Sequence, residues 1–406
     1  MRKYALMLIA LTLVLATAAW ADTEHVIYNF ASLTGDTDGY NPYSALVADK
    51  SGNLYGTAEH GGSPSGYGVV FELKPSGGGF TETVLHQFAA GTTDGAYPLT
   101  SLVMDSSGNL YGMTYQGGAS NLGTVFEMTK TNGKWTEKLI HSFAGGGKDG
   151  YQPDQNELSF DSSGNLYGTV QTGGTHGYGI VFQMTQSKGK WSYRTIHNFN
   201  AGNDGAYPYG ALVAGANGFF YGATYEGGPI YNAGTVFELF ESRSVWTGKT
   251  IYYFSGGYPG ETPLGGVVFY NGNLFGTTYQ GGTDNLGTIF ELKAGSNNKW
   301  TQSVVYNFAG GTGDGEHPYY GDGLIVDGSG NLYGMTYQAG LSGAGVVYEL
   351  ENNKGVYKEK VLYNFAGGGG DGCNPQANLV MVKSNFFGTT PGCGAHGGGV
   401  AFEIKP

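Results

Sequence analysis

One phrase constrains this chain more than any other feature. S-G-N-L-Y-G-T at 51–57 returns as SGNLYGM at 107–113, SGNLYGT at 163–169, NGFFYGA at 217–223, NGNLFGT at 271–277, SGNLYGM at 329–335 and KSNFFGT at 383–389. The closing glycine falls at 56, 112, 168, 222, 276, 334 and 388, at intervals of 56, 56, 54, 54, 58 and 54 residues. A fixed period of this length marks a repeat architecture rather than a series of unrelated domains. Within each unit four short apolar segments recur in order. In the first they are SALVA (44–48), NLYGTA (53–58), GVVFEL (68–73) and TETVLHQF (81–88). Each is rich in Val, Leu, Tyr and Phe and bounded by Gly, Pro, Asp and Asn, the punctuation of strands. No intervening stretch has the length or period of a helix. Four strands per unit and seven units predict an all-β, seven-bladed β-propeller with four antiparallel strands per blade.

The two ends predict how the ring closes. The last unit offers NLVMV (378–382), NFFGTT (385–390) and GVAFEI (399–404), then lacks a fourth segment. HVIYNF at 25–30 matches fourth segments such as VVYNF (304–308) and VLYNF (361–365). An unpaired edge is an aggregation hazard, so the N-terminal strand is expected to fill the vacancy in blade 7. In each blade S-G-N is the expected hairpin turn between strands one and two, with Gly or Asn at positive φ. Leu and Tyr then open the second strand and pack between blades. The Gly that follows is read as allowing close approach of an adjacent backbone.

Composition removes several function classes. Charged residues are 13% of the chain, Gly numbers 75 and Tyr 31. An aromatic share of 14% argues against disorder. A net charge of −12 without a Lys/Arg cluster argues against nucleic acid and against an anionic membrane surface. Arg2 and Lys3, the apolar run 5–19 and the Ala19-Trp20-Ala21 site read as a signal peptide over 1–21, with the mature chain, a single propeller domain, over 22–406. The C-terminal GGGVAFEIKP has neither an apolar anchor nor a basic tail, so a soluble product, secreted or periplasmic and monomeric, is expected.

The succession N-L-Y-G-T-T-x-x-G-G, G-T-V-F-E-L and a terminal Y-N-F, carried for example by 273–278, Gly281-Gly282 and 287–292, resembles the GloVer tandem-repeat family of exported bacterial proteins. The resemblance covers essentially the whole mature chain. It implies an extracytoplasmic repeat protein with no assigned biochemical role.

Loops after the second and fourth strands share one face of such a ring, here termed the loop face. The loop after strand four carries D-G-x-x-P with Asp38, Asp94, Asp149, Asp204, Asp314 and Asp371; blade 5 departs with Glu261. Two readings apply. The acids cap their own turns while Pro stiffens the entry to the next blade, or they form an acidic ring for a ligand. The loop after strand two carries Tyr115, Tyr225, Tyr279 and Tyr337, followed by Gln116, Glu226, Gln280 and Gln338. Tyr40, Tyr97, Tyr151, Tyr207 and Tyr319 add rings in the D-G-x-x-P loops. Flat rings beside amides and carboxylates suit neutral sugars or peptides, and they equally suit packing between blades with the hydroxyl wet.

His86, His141 and His197 share a fourth-strand position with Tyr28, Tyr306 and Tyr363, which points to packing. His60, His176, His317 and His396 lie in loop-face loops, and Glu59, His60, His317 and His396 fall in neighbouring blades 6, 7 and 1. No spacing of the H-E-x-x-H kind supports a metal there. No catalytic residue, metal site or cofactor is therefore assigned. Gly-Gly pairs that lead into strands do not form a phosphate loop. An enzyme should break the repeat symmetry with unusual carboxylates, and the departures counted are Glu59-His60 and Glu261. Cys373 and Cys393 lie in the two loop-face loops of blade 7 and are expected to form a disulfide. The leading expectation is a non-enzymatic secreted propeller binding an extracellular glycan or protein on the loop face. The alternatives are a glycosidase or lyase with carboxylates from several blades, and a purely structural envelope component.

Overall fold

A computed structural model describes residues 23–406 except 34, 36, 63–65, 297–298 and 320–322. The expected signal peptide and its cleavage point lie outside the described residues. Seven four-stranded antiparallel sheets form the blades of a propeller. Blade 1 comprises Val47–Ala48, Leu54–Ala58, Val69–Ser76 and Gly79–Gln87. The same order repeats through blade 6, which ends with Val356–Asn364. First strands touch first strands of neighbouring blades, and fourth strands touch fourth strands, so strand one is innermost and strand four outermost.

Closure follows the expected route. Thr23–Asn29 lies antiparallel to Val400–Lys405 as the outer strand of blade 7, with Thr23 opposite Lys405 and Asn29 opposite Val400. Behind it Phe30 is fully buried and Ile27 nearly so, both packed in a cluster that joins blade 7 to blade 1.

The repeated phrase builds this geometry in three ways. Gly52, Gly108, Gly164, Gly218, Gly272 and Gly330 all take φ between 78° and 85°, which turns strand one into strand two. In blade 7 that task falls to Lys383, at φ 60°. The phrase's Tyr packs between blades as expected: Tyr55 meets Trp135 edge-on at 5.9 Å, and Tyr111 and Tyr167 meet Trp191 and Trp246 likewise. The closing Gly needs a correction. A Cβ on Gly56 would lie 2.6 Å from the Phe71 ring and 2.9 Å from Leu46. What approaches is a phenyl ring of the same blade, not a neighbouring backbone. Phe126, Phe182, Phe237, Phe290, Tyr348 and Phe402 crowd the equivalent glycines. An alanine there would collide with a fully buried ring, which explains Gly at all seven positions.

An acid before the phrase was not singled out from sequence, although it was visible. Asp49 Oδ1 accepts from the amides of Ser51 and Asn53, and its Oδ2 accepts from Asn53 Nδ2 and the Tyr55 hydroxyl. Asp105, Asp161 and Asp327 repeat this pattern. Burial raises the Asp49 pKa, but the bonds from Asn53 outweigh it and hold the carboxyl below its ordinary value.

Cys373 and Cys393 are joined, with a Cα–Cα distance of 5.5 Å. They flank a two-residue ladder in which Gly372 faces Cys393 and Cys373 faces Gly392. The bond closes a loop with a sequence separation of 20, for which chain entropy suggests about 3 kcal/mol of stabilisation. Thiol labelling of the unreduced, denatured protein should find no free thiol. A Cys373→Ser/Cys393→Ser variant should lose stability on that scale in denaturant titration. An unchanged unfolding midpoint would remove the mechanical role.

Candidate functional site at the loop-face mouth

The loop face is assembled by one recurring device. In each of the seven junction loops the residue just before Pro is a non-glycine at positive φ: Asn41, Tyr97, Gln152, Tyr207, Thr262, His317 and Asn374, all between 51° and 57°. L-residues seldom adopt this conformation, so the surroundings must hold it. Side chains at this position tie consecutive blades together. Asn41 Nδ2 donates to the Pro391 carbonyl, Asn374 Nδ2 donates to that of Tyr337, and His317 Nδ1 lies 3.0 Å from that of Tyr279. The D-G end of each loop pairs with the loop after strand two. Gln116 faces Ala96, Glu226 faces Ala206, Gln280 faces Glu261 and Gln338 faces Glu316. These residues are therefore ladder partners whose half-buried side chains border the face.

The Asp that recurs in six of the seven loops is a lock on the outer wall. Asp38 accepts from the Tyr28 hydroxyl and from the amides of Ser32 and Leu33. Asp314 and Asp371 accept from Tyr306 and Tyr363 and from two backbone amides each. Asp94, Asp149 and Asp204 are paired with His86, His141 and His197 at 3.1–3.2 Å. Of the two readings offered by the sequence, the turn cap is the one these hydrogen bonds display. The strand-four Tyr and His are the partners of those caps, which is why they interchange. Blade 5 lacks the Asp, and its Glu261 instead sits in the ladder opposite Gln280.

Four junctions add a glutamate to this lock. Glu24, Glu82, Glu137 and Glu359 occupy one fourth-strand position, and each has an Oε1 shielded from solvent without a hydrogen-bond partner. Burial, then the charges of Asp371, Asp38, Asp94 and Asp314, push their pKa values to about 7, 8, 7 and 7. In blade 3 the equivalent Tyr193 donates to Asp149 and stacks on His141 at 3.8 Å. In blade 4 it is Gly248, where a Cβ would strike His197. Among the described residues, the group able to bring three metal-ligating atoms within 4.8 Å is His86, Asp94 and Glu137. The loop histidines behave differently. His60 stacks on Tyr40 at 5.1 Å, His317 stacks on Tyr279 at 4.6 Å, and His396 is exposed.

The aromatic rings of the face fall into two sets. Tyr55, Tyr111, Tyr167, Tyr221 and Tyr333 belong to the buried core. Tyr115, Tyr225, Tyr279 and Tyr337 are half-buried on the loop side. In blades 5 and 6 Tyr279 and Tyr337 join through Tyr319 into one aromatic sector, and blade 4 carries its own pair. Tyr319 stacks on Tyr337 at 4.8 Å and meets Tyr279 at 5.4 Å, and Tyr209 meets Tyr225 edge-on at 6.1 Å. Burial raises the pKa of the Tyr279 hydroxyl.

Blades 1 to 3 supply an acidic sector that the repeat does not predict. Glu59 stands where blades 2, 4, 5 and 6 place Tyr, and Asp154 stands after the loop Pro where blades 1, 4 and 6 place Tyr43, Tyr209 and Tyr319. Burial, followed by the charge of Asp154, raises the Glu59 pKa to about 7. Burial also raises Asp154. Burial, and then Glu59, Tyr337 and Asp154, raises the pKa of the Tyr43 hydroxyl in blade 1.

Deeper on the axis, Glu157 Oε1 accepts from Ser101 Oγ and Asn378 Nδ2, both at 3.0 Å, and so links blades 2, 3 and 7. It borders an axial cavity of about 420 Å³ lined by Leu46, Leu102, Met104, Phe160 and Leu379 among others. Burial raises its pKa against those two hydrogen bonds. Sequence reasoning counted Glu59 and missed Asp154 and Glu157. Their signal was a one-residue insertion, PDQNELSF against PYSALVA and PLTSLVM.

The propeller has solved counterparts of low identity. A 6-phosphogluconolactonase candidate from Bacteroides uniformis is 12% identical, with a TM-score of 0.54, over 86% of this chain and 89% of that one. A protein of unknown function from Dyadobacter fermentans is 12% identical, with a TM-score of 0.46, over 94% and 96%. At such identity the first likeness shows the fold alone. No curated protein matches the chain. The model of the Gloeobacter/Verrucomicrobia repeat matches residues 15–156, 136–257 and 231–406. With the period, the blades and these three matches spanning nearly its whole length, the chain belongs to the Gloeobacter/Verrucomicrobia repeat family.

Proposed function

We propose that this protein is an exported binding module that takes an extracellular glycan on its loop-face mouth without transforming it. The observation that carries this reading is the run of half-buried rings Tyr279, Tyr319 and Tyr337, held on rigid blades beside Gln280 and Gln338. Rings stacked on one another lose little freedom when a sugar face covers them. The disulfide in blade 7 suits an oxidising compartment. Among the described residues no helix is long and apolar enough to cross a membrane. The net charge of −12 disfavours nucleic acid as a partner, and a monomer suffices for the site.

A glycan array joined to a hydrolysis assay on the same glycans tests the reading. Tyr115→Ala, Tyr279→Ala and Tyr337→Ala should each weaken binding by about 1–2 kcal/mol, the scale of a moderate hot spot, with melting temperatures preserved. Lys134→Ala, on the exposed hairpin of the opposite face, should leave affinity intact. Loss of folding in all three Tyr variants would make the rings packing elements, and intact folding with unchanged affinity would put the ligand elsewhere.

Glu59 and Asp154 favour a second reading, a carbohydrate-active enzyme. They break the repeat in one sector, and a carboxyl held to about pH 7 beside another is suited to proton transfer. Turnover abolished by Glu59→Gln would select this reading over simple binding.

A further inference from the structure

The lock between blades 1 and 2 differs from the others in the atoms it gathers. His86 lies in the fourth strand of blade 1, Asp94 in the junction loop and Glu137 in the fourth strand of blade 2. His86 Nε2 is 3.2 Å from Asp94 Oδ1, and one ligand atom from each of the three side chains lies within 4.8 Å of the other two. Glu137 Oε1 is shielded from solvent and finds no hydrogen-bond partner among the described residues. Three ligand atoms so spaced leave room for one ion, since atoms 2.0–2.2 Å from a tetrahedral zinc stand about 3.3–3.6 Å apart. Two of the three are held in place by their own surroundings. Asp94 accepts from the amides of Ala89 and Gly95, and the His86 ring packs edge-on against Phe88 at 4.7 Å. The His86 and Asp94 side chains are 22% and 14% exposed, enough for an ion to enter.

Sister junctions each lack one member of this set. Tyr28, Tyr306 and Tyr363 donate to Asp38, Asp314 and Asp371 beside Glu82, Glu359 and Glu24. Burial raises the pKa of each of these phenols, so it keeps its proton and is a poor ligand. His141 and His197 meet Tyr193 and Gly248 where the glutamate would be. Among the described residues, His, Asp and Glu come together at the junction of blades 1 and 2. We infer that His86, Asp94 and Glu137 bind one first-row divalent cation, with zinc the best match, which clamps the outer strands of blades 1 and 2. Two carboxylates and a neutral imidazole balance the charge of a dication, and a nitrogen ligand favours Zn²⁺ over Ca²⁺ or Mg²⁺. Three protein ligands leave a fourth position to water. Ligands drawn from three separate segments have no compact spacing by which sequence could report them. The clamp is on the outer wall and does not depend on what the mouth binds.

The test uses the tag-free full chain, stripped with a chelator and dialysed against zinc, with bound metal counted by elemental analysis. One ion per chain is expected. Zinc at a hundredfold excess over its Kd should raise the melting temperature by about 3 °C for a domain of this size. Cobalt(II) should give visible d–d absorption that saturates at one equivalent and is lost on adding zinc. His86→Tyr reproduces the sister junctions, so it should keep the metal-free melting temperature while binding no ion and losing the zinc shift. Glu137→Gln should likewise bind none. Tyr306→His assembles the same three residue types with Asp314 and Glu359 between blades 5 and 6, and should load a second ion. No stoichiometric ion on the wild type, an ion retained by His86→Tyr, or a single ion on a folded Tyr306→His overturns the site. Should Tyr306→His fail to fold, the counts on the wild type and His86→Tyr decide the question between them.

Discussion

Deletion of residues 22–32 should convert a closed ring into an aggregating one. The deleted strand supplies the whole outer edge of blade 7, and its loss leaves Val400–Lys405 unpaired. It also removes Phe30 and Ile27 from the cluster between blades 7 and 1, the Asn29 side chain that holds the Ala395 amide, and Tyr28, the partner of Asp38. Losing two core side chains of this size costs on the order of 5–10 kcal/mol, comparable with the entire stability of a typical domain. The expected result is a species that elutes as large assemblies and lacks a cooperative melting transition. A synthetic peptide of residues 22–32 added during refolding should restore both. The milder Phe30→Ala should remain folded and lose about 3–5 kcal/mol. A truncated protein that stays monomeric with an unchanged melting temperature would refute the closure.

Stability should fall as pH rises from about 5 to 8, the reverse of ordinary acid denaturation. Glu24, Glu82, Glu137 and Glu359 keep their protons in the folded state up to about pH 7 or 8. In the unfolded chain they release them near 4.5. Between those limits the folded protein binds more protons, so each step up in pH favours unfolding. Depressed acids such as Asp49 and Asp149 act in the other direction. For Asp149 the bonds from His141 and Tyr193 outweigh the effect of burial. Their contribution is present at neutral pH and is lost as pH falls below the ordinary carboxylate range. Together these place the optimum near pH 4–6, earlier than is usual. From there to pH 8 the melting temperature should drop by roughly 5–10 °C, four partly solvated groups acting together on a domain of this size. Replacing all four Glu by Gln should flatten the slope. Calorimetric scans at pH 5, 6, 7 and 8 decide the matter, and a melting temperature that is constant or rises over that range sinks the idea.

Which parts of this were legible beforehand follows from where the physics is local. Strand count, hairpin turns and ring closure were readable because turn chemistry and apolar periodicity act over a few residues and then repeat. Seven copies of one phrase turn a weak local signal into a topology. The vacancy after GVAFEI and the orphan HVIYNF fixed the closure by pairing alone. The disulfide was readable because the same loop register that brings Gly95 to Gly117 brings Cys373 beside Cys393.

Only the tertiary structure decided what each glycine and each acid faces. The closing Gly of the phrase meets the ring of the strand-three residue paired opposite it, a contact set by the register between the two strands. The Asp of six junctions turns to the Tyr or His at the end of the preceding strand, so an acidic ring in the sequence became a set of locks in space. Glu24 and Asp371 oppose one another although 347 positions separate their numbers in the chain. The acids of blade 3 depart from the repeat, and Glu157 reaches Asn378 of blade 7 although 221 positions separate them in the chain. Repetition made the frame predictable from sequence. The departures from repetition face one another only around the axis, and their distances are set by closure of the ring.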